Sequence, residues 1–141
     1  MEIILWRHAD AEPGADDLAR RLTALGEKEA AAMAKWLRAH LPPRFTLLAS
    51  PAVRAQQTAR ALDSPITEST LAPGASVAAI KKAAEKHKGL VIIVGHQPDL
   101  GRAAANFCGA SSEWSIEKGA IFWMAGDVPC RIRAALTPDL A

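Results

Sequence analysis

Unbroken apolar runs of strand length alternate along this chain with longer segments whose apolar residues recur at helical spacing. Three runs leave no face for water, and they predict buried strands over residues 2–7, 45–49 and 90–94. A short strand is predicted at 66–68. The segments 120–125 and 130–136, on either side of a Gly-Asp turn, predict a terminal β-hairpin.

The helical spacing of apolar residues predicts four helices, within residues 18–41, 50–63, 77–89 and 98–107. The first apolar stripe includes Leu18 and Leu25, with a break near Thr23, where the threonine side chain would cap a new helix. Ser50 would cap the second helix, because Pro51 suits the first position of a helix.

This order of elements predicts the α/β class, as a three-layer α/β/α sandwich whose mainly parallel sheet is covered by helices on both faces. No repeat, low-complexity tract or linker interrupts the chain, so residues 1–141 are expected to form a single domain. The apolar run near the N-terminus is too short for a signal peptide, and no segment reaches the roughly 18 apolar residues of a membrane span. A cytoplasmic location is therefore expected.

Composition and charge narrow the range of partners. Half of the residues are hydrophobic and 23% are charged, which is typical of a globular protein. A net charge of +2 without any block of like charge gives no reason to expect nucleic acid or a membrane surface as partner. The two cysteines, Cys108 and Cys130, predict reduced, half-buried thiols, and neither a metal nor a cofactor is expected.

Cationic side chains follow the predicted strands at the points where these strands end. Arg7 and His8 follow the first strand, Arg54 lies in the first turn after the second, and His96 follows a later one. Ligands of open α/β sheets gather at the carboxyl ends of the strands, beside helix N-termini that favour anions. We therefore expect these four side chains to meet at one anion site.

Such a site has the groups that phosphoryl transfer needs. Two guanidinium groups are planar donors to a tetrahedral anion, and one imidazole can accept the phosphoryl group while a second donates a proton, without a metal. Each residue alone has an ordinary alternative: Arg54 as a solvated helix residue, His96 as a half-buried histidine, and the Arg-His pair as coincidence. The expected position of all four residues at one edge of the sheet favours an anion site over these separate explanations.

Four segments of the chain resemble motifs of the histidine phosphatase (phosphoglycerate mutase-like) superfamily. In family order they are Leu5-Trp6-Arg7-His8-Ala9, Arg20-Arg21-Leu22-Thr23-x-x-Gly26, Ser50-Pro51-x-x-Arg54-Ala55-x-x-Thr58-Ala59 and Val94-Gly95-His96-x-Pro98. The short chain and the Arg-His-Ala start are most similar to phosphohistidine phosphatases of the SixA type.

The resemblance implies a phosphoglycerate mutase-like fold and a phosphatase in which His8 accepts the phosphoryl group. It further implies that Arg7 and Arg54 clamp the phosphate, and that His96 holds a phosphate oxygen and assists the transfer. Arg20 would either add a phosphate contact or form a salt bridge at the start of a helix.

Larger relatives carry a general acid in a long insertion after the third strand, whereas this chain has only residues 67–74 there. A well-placed general acid accelerates the departure of an alkoxide about 10²–10⁴-fold, whereas imidazole is a better leaving group and needs this help less. The short connection therefore favours phosphohistidine in a protein, reached through an open pocket. Candidate proton donors are Glu68, Asp10 and Glu12, although such carboxylates are commonly solvated, and Asp99 is interpreted as a first-turn helix carboxylate.

Two alternatives remain open at this point. The chain could be a phosphatase for a small phosphate ester, such as a nucleotide-derived or sugar phosphate. It could also be a non-catalytic module that docks a phosphorylated protein, although arginines alone would serve binding and would not require His8.

Overall fold

A computed structural model describes all residues, 1–141, as six strands and four α-helices built around one sheet. The strands are β1 (Glu2–Arg7), β2 (Thr46–Ala49), β3 (Ile66–Thr67), β4 (Leu90–Gly95), β5 (Ile121–Ala125) and β6 (Arg131–Leu136). The helices are α1 (Ala24–His40), α2 (Val53–Arg60), α3 (Val77–Glu85) and α4 (Asp99–Phe107), with short 3₁₀ turns at Asp17–Ala19, Ser69–Leu71 and Pro138–Leu140. No helix combines the length and the apolar composition needed to cross a membrane.

The sheet has the strand order β3-β2-β4-β1-β5-β6. Its first four strands are parallel, and β5 and β6 are antiparallel to their neighbours. Residues of α1 and α2 pack with Ile4 and Trp6 on one face of the sheet. Residues of α3 and α4 pack with Ile3 and Leu5 on the other. Successive side chains of β1 point to opposite faces of the sheet, and each face is covered by two helices. The predicted α/β/α sandwich is therefore confirmed.

The start of α1 confirms one prediction and corrects another. Thr23 caps the helix, because its side-chain oxygen accepts a hydrogen bond from the backbone N–H of Gly26 at 3.0 Å. The apolar stripe does not extend as predicted, since Leu18 is 48% and Leu25 59% exposed. Leu18 lies in a 3₁₀ turn before the helix, where the helical period no longer applies. Gly26 packs against the backbone oxygen of Asp10, where a Cβ atom would lie only 2.0 Å away.

The predicted start of the second helix is wrong. Helix α2 begins at Val53, after Ala52, and no side chain caps it. The side-chain oxygen of Ser50 accepts a hydrogen bond from Ala52 N at 3.2 Å and lies 2.7 Å from the ring of His96. Ser50 therefore belongs to the edge of the sheet at which the predicted site residues meet.

The two cysteines are free thiols in the layer formed by α3 and α4. Cys130 is buried and Cys108 is half-buried, close to the prediction for both. Burial raises the pKa of the Cys108 thiol.

Candidate active site

The predicted site residues line one pocket of about 310 Å³ at the carboxyl ends of β1, β2 and β4. Arg7, His8, Arg20, Arg54 and His96 are all part of its wall. Parallel pairing of β1 with β4 sets Arg7 opposite Gly95, so that His8 and His96 are each the first residue beyond their strand. Their ring centroids lie 5.3 Å apart.

His8 is held as a neutral imidazole whose two ring nitrogens both have hydrogen-bond partners. Its Nδ1 lies 2.7 Å from the backbone oxygen of Ala9, which can only accept, so the ring proton is at Nδ1. Its Nε2 accepts a hydrogen bond from Nε of Arg54 at 3.3 Å. Burial, followed by the nearby arginine charges, lowers the pKa of His8 to about 4. Nε2 is therefore unprotonated near neutral pH, and its lone pair can attack once the hydrogen bond from Arg54 is exchanged for one to a phosphate oxygen.

His96 is also buried and neutral, since burial and the Arg54 charge lower its pKa to about 3. Its Nδ1 lies 3.3 Å from Nη2 of Arg54, which can only donate, so Nδ1 carries a lone pair. The ring proton is then at Nε2, which donates to the side-chain oxygen of Ser50 at 2.7 Å.

Arg54 stands at the centre of the site, in the first turn of α2 and 4% exposed. Besides both histidines, its guanidinium contacts Asp17 twice, at the backbone oxygen (2.6 Å) and at Oδ2 (3.1 Å). Thr58 joins this helix to the segment after β1, because its hydroxyl donates to the Arg54 backbone oxygen and accepts from Ala9 N. The positions of Arg54 and His8 are thereby coupled.

Arg7 has donors that the protein itself does not use. Nη1 donates to the backbone oxygen of Ile116 at 3.0 Å, whereas Nε is buried without a hydrogen-bond partner. Burial lowers the pKa of Arg7. A buried donor without a partner costs free energy, and an anion bound in the pocket could satisfy it.

Asp17 is a site residue that the sequence interpretation missed. Its Oδ1 accepts from Nη1 of Arg20 at 3.0 Å and its Oδ2 from Arg54, and these hydrogen bonds hold its pKa below the usual range. One carboxylate thus occupies two of the guanidinium groups that line the pocket. Arg20 lines the pocket and forms the predicted salt bridge, although with Asp17 of the 3₁₀ turn instead of at a helix start. Its phosphate contact stays a prediction.

The predicted proton donors lie elsewhere. Glu68 pairs with Lys86 at 2.6 Å, Asp10 pairs with Lys118 at 2.8 Å, and Glu12 is exposed; none of the three lines the pocket. Asp17 is the carboxylate in the pocket wall.

Asp99 is more than a first-turn helix carboxylate. It is 4% exposed, and its Oδ2 accepts from the backbone N–H groups of Gly74 and Ala75 at 2.9 and 3.0 Å. It therefore ties down the short connection whose Pro73 forms part of the pocket wall.

Ser50 and Lys118 are two further site residues that the sequence interpretation missed, and they differ in how they could have been found. Ser50 directly follows β2, and the same rule that selected His8 and His96 would have selected it as well. Lys118 lies in the pocket wall because of the path of the loop before β5, which no apolar period predicts.

Acidification is expected to destabilise the fold, because both buried histidines are neutral. The folded-state pKa values, about 4 for His8 and about 3 for His96, lie below the value of about 6.5 for an unfolded histidine. As the pH falls below that value the unfolded chain binds more protons than the native state, so stability is lost down to the folded pKa values. We expect a loss of up to about 2 kcal/mol per histidine between pH 7 and pH 5, measured by urea unfolding.

The variant His96→Gln should lose about half of this pH dependence. His40→Gln, at the exposed end of α1, is the matched control and should retain it. The same free energy of unfolding at both pH values in the native sequence would contradict neutral burial of the two rings.

Comparison with known proteins is consistent with this geometry. A family model described as "Histidine phosphatase superfamily (branch 1)" matches residues 3–71. A phosphohistidine phosphatase SixA homolog from Haemophilus influenzae is 42% identical over 64 residues, which span 41% of this chain and 39% of that protein.

Solved structures match nearly the whole chain. The protein histidine phosphatase SixA complexed with tungstate is 25% identical, with a TM-score of 0.85 over 99% of this chain and 98% of that one. A phosphoserine phosphatase mutant from Entamoeba histolytica, in complex with phosphoserine, is 12% identical, with a TM-score of 0.74 over 97% of each chain. The second likeness concerns the fold alone.

Proposed function

We propose that the chain is a SixA-type member of the histidine phosphatase superfamily, which its motifs and its fold support, and that it hydrolyses phosphohistidine in proteins by way of a phosphoryl group carried on His8. The observation that carries this proposal is the state of His8: a buried, neutral imidazole whose Nε2 faces the guanidinium of Arg54 in a pocket that Arg7 and Arg20 also line.

In the first step the phosphate of the substrate replaces the Asp17 carboxylate on Arg54 and satisfies the unpartnered Nε of Arg7. The Nε2 lone pair of His8 attacks phosphorus, and the bond from phosphorus to the substrate imidazole breaks. The electron pair of that bond goes to the departing nitrogen. If the other ring nitrogen of the substrate already carries a proton, the leaving group departs as neutral imidazole, so no placed general acid is required.

In the second step water attacks the phosphorus on His8. The bond between phosphorus and Nε2 breaks, its electron pair returns to the ring, the proton of water passes to solvent, and inorganic phosphate is released. The guanidinium groups stabilise the charge on the phosphate oxygens in both steps. Because these cations supply the charge that metal ions supply in many phosphoryl transfers, the proposed mechanism uses no metal.

His96 would assist by holding a phosphate oxygen through Nδ1. Since Nδ1 carries a lone pair in the empty pocket, this contact requires a proton at that atom. A bound phosphate dianion favours the imidazolium form, which would then donate from both nitrogens, to the phosphate and to Ser50.

The same proposal includes a phosphorylated protein as partner, a cytoplasmic location and one domain over residues 1–141. The short connection that Asp99 anchors supports an open pocket, into which a residue of a folded protein can reach. A small phosphate ester is the second candidate, because the fold is shared with a phosphoserine phosphatase and does not itself choose the substrate.

The substrate class can be tested by measuring phosphate release from three compounds: a protein carrying phosphohistidine, p-nitrophenyl phosphate and a sugar phosphate. We expect kcat/KM to be at least about tenfold higher for phosphohistidine than for the sugar phosphate, because none of the three predicted proton donors lines the pocket and an alkoxide leaves poorly without one. A clear preference for the sugar phosphate would favour a phosphatase for small phosphate esters. Phosphate binding without release from any substrate would favour a docking module.

A further inference from the structure

A second cavity opens beside the phosphate pocket and shares two residues with it. This cavity has a volume of about 690 Å³, and both Arg7 and Lys118 belong to its wall and to that of the phosphate pocket. Its remaining walls are the first turns of α1, the loop before β5 and the 3₁₀ turn at Pro138–Leu140. We call this cavity the α1 groove. It continues the phosphate pocket along the surface.

The α1 groove adjoins one exposed side of the phosphate pocket. In-line transfer places the leaving atom opposite the attacking Nε2 of His8. The inner end of the pocket is closed by His8, Arg54 and His96, which are all at most 7% exposed. Lys118 is 52% exposed and belongs to the walls of both cavities. A substrate that extends past Lys118 therefore enters the α1 groove.

The charges of the α1 groove select among the substrates that could extend there. Its wall has three cations and three carboxylates, namely Arg7, Lys28, Lys118, Glu29, Glu117 and Asp139. A nucleotide or a sugar with further phosphates would be bound best by an excess of positive charge. A wall of mixed sign is complementary to the mixed charges of a polypeptide surface.

Leu25 adds an apolar contact to this wall. It is 59% exposed at the start of α1 and lies in the α1 groove, although its place in the helical stripe had predicted burial. Two charged groups of the wall are already held in place, since Lys118 pairs with Asp10 Oδ1 at 2.8 Å and Glu29 accepts from Asp10 N at 2.9 Å. Partly ordered side chains lose less entropy when a partner binds.

We propose that the α1 groove binds the polypeptide that flanks the phosphorylated residue, with Leu25 and Lys28 on α1 as its contacts outside the phosphate pocket. This inference rests on the proposed function, because it assumes that the phosphoryl group arrives on a protein. It goes beyond that function by naming the surface that distinguishes a protein from a free phosphorylated compound.

The test compares free phosphohistidine with a short peptide in which one phosphohistidine is flanked by Lys, Glu and Leu residues. We expect the native sequence to show a kcat/KM at least about tenfold higher for the peptide, equivalent to about 1.4 kcal/mol. The double variant Leu25→Asp/Lys28→Glu should lose most of this ratio. Lys35→Glu, which is also exposed on α1 but lies outside the groove, is the matched control and should retain it.

Each outcome separates the inference from the proposed function. If both compounds are hydrolysed with the same kcat/KM, or if the double variant leaves the ratio unchanged, the α1 groove is not a docking surface. Neither result would contradict the proposed function. Hydrolysis of p-nitrophenyl phosphate together with no hydrolysis of either phosphohistidine compound would overturn the proposed substrate, and the groove with it.

Discussion

Replacing His8 with alanine is expected to abolish turnover of phosphohistidine and of p-nitrophenyl phosphate alike, by roughly 10⁴-fold or more. The reason is that the proposed mechanism assigns no second phosphoryl acceptor. In that mechanism His96, whose Nδ1 lies 3.3 Å from Nη2 of Arg54 and whose Nε2 lies 2.7 Å from Ser50, holds a phosphate oxygen. Steady-state phosphate release measures the loss. The phosphoryl label that the native protein acquires from substrate, which is acid-labile and base-stable, should be absent from His8→Ala.

Anion binding should survive this substitution, because Arg7, Arg20 and Arg54 remain. Tungstate binding, measured by calorimetry, should stay within about tenfold of the native value. His87→Ala, far from the pocket at the end of α3, is the control and should keep full turnover. If His8→Ala retains a tenth of the activity or more, the phosphorylated His8 is not an intermediate.

The sequence predicts His8 and His96 as neighbours for a reason that does not depend on knowing the sheet in advance. Each follows an unbroken apolar run, and parallel strands place their carboxyl ends at one edge. The observed pairing of β1 with β4, with Arg7 opposite Gly95, is one of the arrangements that this rule allows. The proximity of His8 and His96 was therefore predictable from the strand ends.

The rim of the pocket was not predictable in this way. Asp17 reaches Arg54 because residues 12–21 form a loop with a 3₁₀ turn, and its path follows from long-range contacts such as the bridge between Ala11 and Leu22. Lys118 is placed by the antiparallel addition of β5 next to β1. Apolar periodicity carries no information about either segment.

Ser50 shows how a local rule can be overridden. Its type and the proline after it favour a helix cap, but its hydroxyl is engaged by His96, and the helix begins three residues later, at Val53. Tertiary contacts at a site commonly override local preference. Leu25 departs from its predicted environment as well, and it lies in the α1 groove.

Replacing Arg54 with lysine is expected to lower kcat/KM by about 10²–10³-fold, although the charge is kept. The guanidinium donates from three nitrogens, to His8, to His96 and to Asp17, and a planar fork can exchange these bonds for phosphate oxygens. A lysine has all of its donors on one nitrogen and cannot span the same positions. Steady-state kinetics, with thermal unfolding to show that the variant is folded, measures the effect.

Replacing Asp17, the carboxylate that pairs with Arg54, by asparagine should strengthen anion binding. The Asp17 carboxylate pairs with both Arg54 and Arg20, and in the proposed mechanism the phosphate displaces it from Arg54. A neutral amide holds the two cations less strongly, and we expect tungstate to bind roughly fivefold to tenfold more tightly than to the native sequence. Weaker binding in Asp17→Asn would show instead that the carboxylate orients the guanidinium groups for phosphate. Tighter tungstate binding in Asp17→Asn is therefore the result that displacement requires.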